Sequence, residues 1–393
     1  MTTQAARPVA ETATEDAAKR LIWLDSLRLV AGVSMVGLHA TADAQGQPFA
    51  AYEPAERIFP MLLRAVIYTA RTELFLIISI FLLLMAFERR PKSYGTVVSI
   101  QARRLLIPFV FWTVFFAFYG LIKADAFGYL DYAAERLTNP LEWFGFFILG
   151  DVKYHMHFIP TLFVLVLMFP LFHLAVSYPW LGILILAALL LKRDLDAFIY
   201  ATFWGTEGLP YLVRAVKVAT YAGYGLLAGA FLGIWQQVDW QVRASFLPLV
   251  LGLGGLLFAL KLVATWKTVE AGAWPFEYTG GYWADFLMPG VLFAAAMAMA
   301  HRDWPPVLSR LAPYSFGIYL CHPIFLDLVE IALKGTEVSP TWQVTVKITC
   351  AVTLTSAFVA GLARVRGLAW TIGLGPLPGR FGRSEIAVKG ESA

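Results

Sequence analysis

The sequence predicts an all-α, polytopic membrane protein with about ten transmembrane helices, and three observations lead there. Of its 393 residues, 59% are hydrophobic and 15% charged, where a soluble domain carries about a quarter charged residues. The mean hydropathy is +0.65. The apolar residues gather in stretches close to the roughly 20 residues that cross a bilayer core as a helix. In order, the expected spans are 23–43, 72–88, 105–122, 156–176, 178–192, 212–235, 244–264, 282–300, 314–333 and 343–363. They lie in a membrane domain over 22–364, between a polar tail at 1–21 and a second tail at 365–393. The Gly/Pro-rich and polar ends have the composition of disorder. Met1–Lys19 lacks the apolar segment of a signal peptide, so the first span is the expected targeting signal. The segment 57–70 is amphipathic, with Arg57, Arg64 and Arg71 spaced by seven, and reads as lying at an interface rather than spanning. Residues 141–150 and 195–205 look similarly interfacial.

Charge sets the orientation. With both termini cytoplasmic, inward loops and tails hold 16 of the 31 Lys and Arg residues, including Arg89, Arg90, Lys92, Arg103 and Arg104 in one loop. That bias accounts for the net charge of +4 and calls for no nucleic-acid partner. Cys321 and Cys350 both fall inside expected spans and read as core residues, which leaves no disulfide framework or thiolate metal site. There is no Walker, GxGxxG, HExxH or CxxC motif and no internal repeat.

The most informative feature lies in the first span. Arg28 and His39 stand eleven residues apart in LDSLRLVAGVSMVGLHA. Eleven residues are about three helical turns, so both side chains project from one face, roughly 16 Å apart along the axis. Ionisable groups inside a membrane are costly and mark functional sites unless they bridge packed helices.

At these residues the chain resembles the membrane-bound acyltransferase-3 family. Asp25-Ser26-Leu27-Arg28 with His39 is similar to its arginine/histidine signature. Glu73-Leu-Phe-Leu-Ile-Ile-Ser79 resembles its second-helix segment, and Arg103-Arg104-Leu-Leu-Ile-Pro108 the basic start of the third. Tyr314-Ser315-Phe-Gly317-Ile-Tyr319-Leu-Cys-His322-Pro323 resembles its late YSxGIYLxHP helix. The pieces occur in the family's order across about residues 22–364. Two departures are His157, where the family often has an aromatic, and Ile80, where Gly is usual. Within the family the chain is most similar to the osmoregulated periplasmic glucan succinyltransferases, by its LDS-x-R opening, its length and the lack of an appended esterase-like domain. The resemblance implies ten helices in a bacterial inner membrane. It also implies transfer of an acyl group, succinyl first and acetyl next, from cytoplasmic acyl-CoA to a hydroxyl of a periplasmic glucan.

The residues suit that chemistry. His39 is the natural base, since imidazole titrates near neutral pH. Arg28 either holds CoA phosphate or orients the LDS turn, with Asp25 one turn before it. Glu73 either orients His39 as the third group of a relay or caps a helix start. His322 binds donor, carries a proton or simply bonds a neighbouring helix; on the expected topology it lies nearer the cytoplasm than His39. Arg103 and Arg104 suit CoA phosphates and equally suit positive-inside anchoring, and Tyr319 and Ser315 accompany His322 on the donor side. His155 and His157 guide acceptor or pack at the interface. Trp274, Tyr278 and Trp283 belong to an outward loop over 265–283 whose aromatics suit sugar faces and equally an aromatic belt. Asp327, Glu330 and Lys334 read as helix-end solvation, and Arg214, Lys217, Lys261 and Lys347 as snorkelling cations or anion contacts. No resident cofactor or metal is expected. The expected partners are membrane lipids, acyl-CoA and a carbohydrate acceptor; a homodimer is compatible with the sequence. The competing readings are an acetyltransferase for another surface polysaccharide or lipid-linked sugar, and an exporter of such an intermediate.

Overall fold

The computed structural model describes residues 21–275 and 278–377, and among these it forms sixteen α-helices, a few 3-10 turns and no strand. The helices are α1 (Ile22–Ala40), α2 (Pro54–Ile67), α3 (Thr72–Arg89), α4 (Tyr94–Phe127), α5 (Leu130–Thr138), α6 (Pro140–Ile148), α7 (Phe158–Leu167) and α8 (Phe169–Ser177). There follow α9 (Leu184–Phe203), α10 (Leu209–Gln237), α11 (Trp240–Ser245), α12 (Leu247–Ala271), α13 (Thr279–Ala298), α14 (Pro306–Leu311), α15 (Ser315–Leu333) and α16 (Pro340–Arg364). Among the described residues, seven helices or continuous helical runs are long and apolar enough to cross a membrane, eight if the bent pair α7 and α8 is one span. Helices also fill the first and fifth expected spans, but they are outside that count. α1 carries Asp25, Arg28 and His39, and α9 carries Lys192, Arg193, Asp194 and Asp196.

Several boundaries differ from expectation for visible reasons. The fourth span is broken into α7 and α8 at an angle of 64°, where Pro170 removes a helical N–H and crowds the preceding turn. α9 runs straight through the charged segment expected to end it, with Lys192 paired to Asp196 one turn on. Residues 265–271 continue α12, which shrinks the aromatic loop to residues between Ala271 and Thr279. Part of the expected second tail is packed: Thr371 and Ile372 are buried, and the Trp112 indole donates to the Thr371 carbonyl at 2.8 Å.

α2 shows which face of its amphipathic sequence turns inward. Its apolar residues Ile58, Phe59, Leu62 and Val66 are the exposed ones, and its arginine face turns inward. Arg57 is buried and donates to the Phe49, Ala50, Tyr52 and Val269 carbonyls. The residues of Pro54–Arg89 form one of the seven apolar runs. In lipid an apolar face needs no covering, so the polar face is the one that must find partners inside.

α1 is central, packed by α2, α3, α13, α15 and α16. α12 lies at the edge, burying only Leu257, Ala264, Thr265, Thr268 and Val269. α8 and α10 approach at backbone distance at Gly229 and Gly233, with Gly225 against the Phe172 ring, a small-residue spacing that the sequence reading passed over. A Cβ on Gly229 would sit 2.2 Å from the Phe172 carbonyl oxygen, and one on Gly233 2.3 Å from that of Val176. Gly229→Ala is therefore expected to lower stability by about 1–3 kcal/mol through overpacking, seen as a lower thermal midpoint in detergent. Gly252→Ala, where nothing lies within 4 Å, serves as the neutral control.

Candidate functional site

α1 and α15 run parallel, and their register assembles the site. A Cβ on Gly32 would lie 3.3 Å from the Ser315 Cβ. Seven residues further along each helix, His39 and His322 stack with ring centroids 5.6 Å apart and planes 17° apart. The two histidines therefore share one level, where the sequence had placed them at different depths.

Pro323 explains the orientation of His322. A proline at this position cannot donate to the carbonyl four residues back, and that carbonyl, Tyr319, instead accepts from His322 Nδ1 at 2.7 Å. A carbonyl only accepts, so Nδ1 carries the hydrogen and Nε2 keeps a lone pair. Nε2 is buried and has no partner.

The loop between α6 and α7 supplies the third ring. Gly150 adopts φ 69°, and a Cβ there would meet the His157 Cα at 2.7 Å, so glycine lets the loop fold back on itself. His155 packs 5.0 Å from His322, ring to ring. Its Nε2 donates to the Leu320 carbonyl at 3.2 Å, and its Nδ1 is buried without a partner. Tyr319 donates its hydroxyl to the His155 carbonyl. Tyr154 lies on His39 with centroids 4.1 Å apart. His39 is half-buried, and its Nε2 is the third buried ring nitrogen without a hydrogen bond. Unsatisfied buried polar atoms are rare in folded proteins, and three in one small volume single it out.

An ion network supports this group. Lys153, next to Tyr154, pairs with Asp327 at 2.5 Å, and Lys123 pairs with Asp327 at 3.1 Å and Glu330 at 2.5 Å. Lys347 pairs with Glu330 at 2.7 Å and donates to the Ala42 carbonyl at 2.7 Å, just beyond α1. Asp327 and Lys347 are buried. This corrects two readings: Asp327 and Glu330 are not solvating a helix end, and Lys347 does not snorkel. Only Lys334 behaves as an end residue, donating to the Ala126 carbonyl.

Two cavities approach from opposite ends of α1. A cleft of about 160 Å³ is lined by Arg28, Gln101, Arg104 and Ser315 with apolar walls from Phe75, Leu82, Phe158 and Leu162, and it reaches Tyr319. Arg28 also lies 3.7 Å from Asp25, which accepts from the Ser309 hydroxyl. Arg103 is exposed and does not line the cleft. The second cavity, about 520 Å³, is lined by Arg64, Arg71, Lys192 and Lys261, by Asp196 and Asp285, and by Tyr68, Trp274, Tyr278 and Tyr282. Arg64 Nη1 donates to the Leu38 carbonyl at 2.6 Å and to Thr41 Oγ1 at 3.2 Å, tying this cavity to the His39 end of α1. His39 itself lines neither cavity.

The other sequence candidates are dispersed. Glu73 pairs with Arg71 at 3.0 Å and accepts from Tyr221 at 2.5 Å, with no bond to His39. His157 faces α10, where its Nε2 accepts from Lys217 at 2.9 Å and its carbonyl from Arg214 at 2.9 Å. Trp283 packs beside Tyr282 and does not line the larger cavity. Phe276, in the same aromatic segment, lies outside the described residues. Arg64, Lys153 and Tyr154 were missed as site residues. The seven-residue arginine spacing was the available signal for Arg64, and the adjacent His155 was the signal for the other two.

A lone-pair nitrogen beside an apolar cleft headed by cations can take a proton from a nucleophile while the cations hold an anionic carrier. A family model described as an acyltransferase domain matches residues 21–361. No curated protein and no solved structure matches the chain.

Proposed function

Because the chain belongs to the acyltransferase-3 family, we propose that it transfers an acyl group from cytoplasmic acyl-CoA to a hydroxyl of a carbohydrate on the other face of a bacterial inner membrane. The donor favoured is succinyl-CoA, with acetyl-CoA next, and the acceptor favoured is a periplasmic glucan. The observation that carries this reading is the placement of His39: packed with His322 and His155 between a cleft holding Arg28 and Arg104 and a wider cavity rich in aromatics. The Arg28 end of α1 is then the cytoplasmic end. CoA phosphates meet Arg28 and Arg104, the apolar cleft walls take the pantetheine arm, and Tyr319 marks where the thioester arrives. Trp274 and Tyr278 offer platforms for sugar rings from the opposite side.

His39 acts as the base. It takes the proton of the sugar hydroxyl as the oxygen attacks the thioester carbonyl. The new C–O bond forms, the C–S bond breaks, and the proton passes to the departing thiolate. If His39 first accepts the acyl group, a C–N bond forms as the C–S bond breaks and the thiolate leaves, then the C–N bond breaks as the sugar oxygen forms the C–O bond and gives up its proton, and the kinetics become ping-pong. His322, held as the Nδ1–H tautomer, presents only an acceptor at Nε2, so it can receive a proton from the site but cannot donate one there in its neutral form.

The test is transfer of radiolabelled acyl groups from acyl-CoA to glucan by the full chain in sealed vesicles. Product on the glucan supports the reading, and no transfer from either acyl-CoA to any carbohydrate offered overturns it. Within this assay Arg104→Ala is expected to raise the KM for acyl-CoA by about 10- to 100-fold with little change in kcat, the size of a lost charge-assisted hydrogen bond. Arg103→Ala, which removes a side chain outside the cleft, is expected to have a much smaller effect.

A further inference from the structure

The larger cavity contains four cations, and three of them have their own acid. Arg71 pairs with Glu73 at 3.0 Å, Lys261 with Asp285 at 2.5 Å, and Lys192 with Asp196. Arg64 is different. Among the described residues it has no carboxylate partner; its hydrogen bonds are those of one nitrogen, Nη1, to Leu38 and Thr41. The guanidinium lies over the Trp274 ring at 4.5 Å and the Tyr68 ring at 5.3 Å. Its Nε and Nη2 take no acceptor from the described residues, and neither is among the fully occluded atoms, so this edge of the fork opens onto the cavity that Arg64 lines.

We propose that Arg64 is a specificity residue that holds a carboxylate of the substrate beside His39. Three features support a bound carboxylate. The open edge presents two parallel N–H groups, which is the geometry that a carboxylate matches. The stacking on Trp274 and the bond to Leu38 fix the fork in one orientation, so little freedom is lost on binding. The anchoring carbonyl belongs to the residue before His39, and neighbouring residues are about 3.8 Å apart. Arg64 is therefore anchored at the turn of α1 that carries the base.

This inference rests on the acyltransferase reading and deepens it. The carboxylate has two possible sources: the far end of a dicarboxylic acyl group, or an acidic substituent already on the acceptor. The first is the expected one, because it places the thioester carbonyl of the same molecule at His39.

The test compares wild type with Arg64→Gln and Arg64→Lys in full-length protein in vesicles. The probes are succinyl-CoA and acetyl-CoA as donors, and a neutral glucan and a succinylated glucan as acceptors. The expected result for Arg64→Gln is a fall of about 10- to 100-fold in the ratio of succinyl to acetyl transfer, the discrimination lost with a charged hydrogen bond. Arg64→Lys restores part of it. Each ratio is taken within one variant, so loss of folded protein cancels. A change in the succinylated-to-neutral acceptor ratio alone also supports a carboxylate at Arg64 and assigns it to the acceptor. Equal loss with every donor and acceptor, or no loss, overturns the proposal. So does a Glu277→Gln variant that reproduces the altered ratio, since that would give Arg64 an acid from its own chain. Failure of the wild type to transfer any acyl group counts against the acyltransferase reading instead.

Discussion

His39→Ala is expected to lower the rate of acyl transfer by about 10²- to 10⁴-fold, the range that a positioned general base contributes, while the protein still inserts and binds acyl-CoA. The donor cleft is lined by Arg28, Arg104, Ser315 and Tyr319 and not by His39, so KM for acyl-CoA should change little. Steady-state kinetics on purified protein in vesicles separates the two quantities. A variant that keeps kcat within a few-fold of wild type would remove His39 from the chemistry and move attention to His322. His322→Gln is the informative companion, because a glutamine amide can still bond the Tyr319 carbonyl freed by Pro323 but offers no basic nitrogen.

Asp327→Ala should give the largest loss of stability. Asp327 is 1% exposed and receives both Lys123 and Lys153. Removing it leaves Lys153 with no acid and Lys123 with Glu330 alone, and breaking a buried pair from one side costs about 3–5 kcal/mol. The effect reaches the site, since Lys153 carries the loop that seats Tyr154 on His39 and His155 on His322. A lower thermal midpoint in detergent together with reduced transfer is the expected outcome. Adding Lys153→Met to Asp327→Leu removes the stranded charge, and stability should partly return. If the single and double variants unfold at the wild-type temperature, the network is not what holds the loop.

Several helices were legible almost to the residue. α3, α10, α15 and α16 lie within about three residues of the expected spans, because long apolar runs bounded by polar residues are a strong local signal. Breaks inside such runs were harder to see. Pro170 was visible, yet the sequence did not say how sharply the run would bend there, which the structure gives as 64°. The charged stretch from Lys192 looked like an end, but Lys192 pairs with Asp196 along the helix and α9 continues. Arg57, Arg64 and Arg71 were noticed for their spacing, but which way Arg57 and Arg64 of α2 turn was not legible, because amphipathicity gives a helix two faces without saying which one lipid takes.

The sequence by itself determined that the chain is a helical membrane protein, that Arg28 and His39 share one helix face, and that the ordered motifs are those of an acyltransferase. Those features are local or compositional, and helix geometry converts them directly into structure. Only the tertiary structure decided that His322 and His155 join His39, that Glu73 goes to Arg71 and Tyr221, and that the arginines of α2 point inward. The physical reason is that lipid and protein core are both apolar, so hydrophobicity does not specify which helices meet or at what register. Here the register is set by close approach at Gly32 and Ser315, and by buried charges that must find one another because lipid offers them nothing.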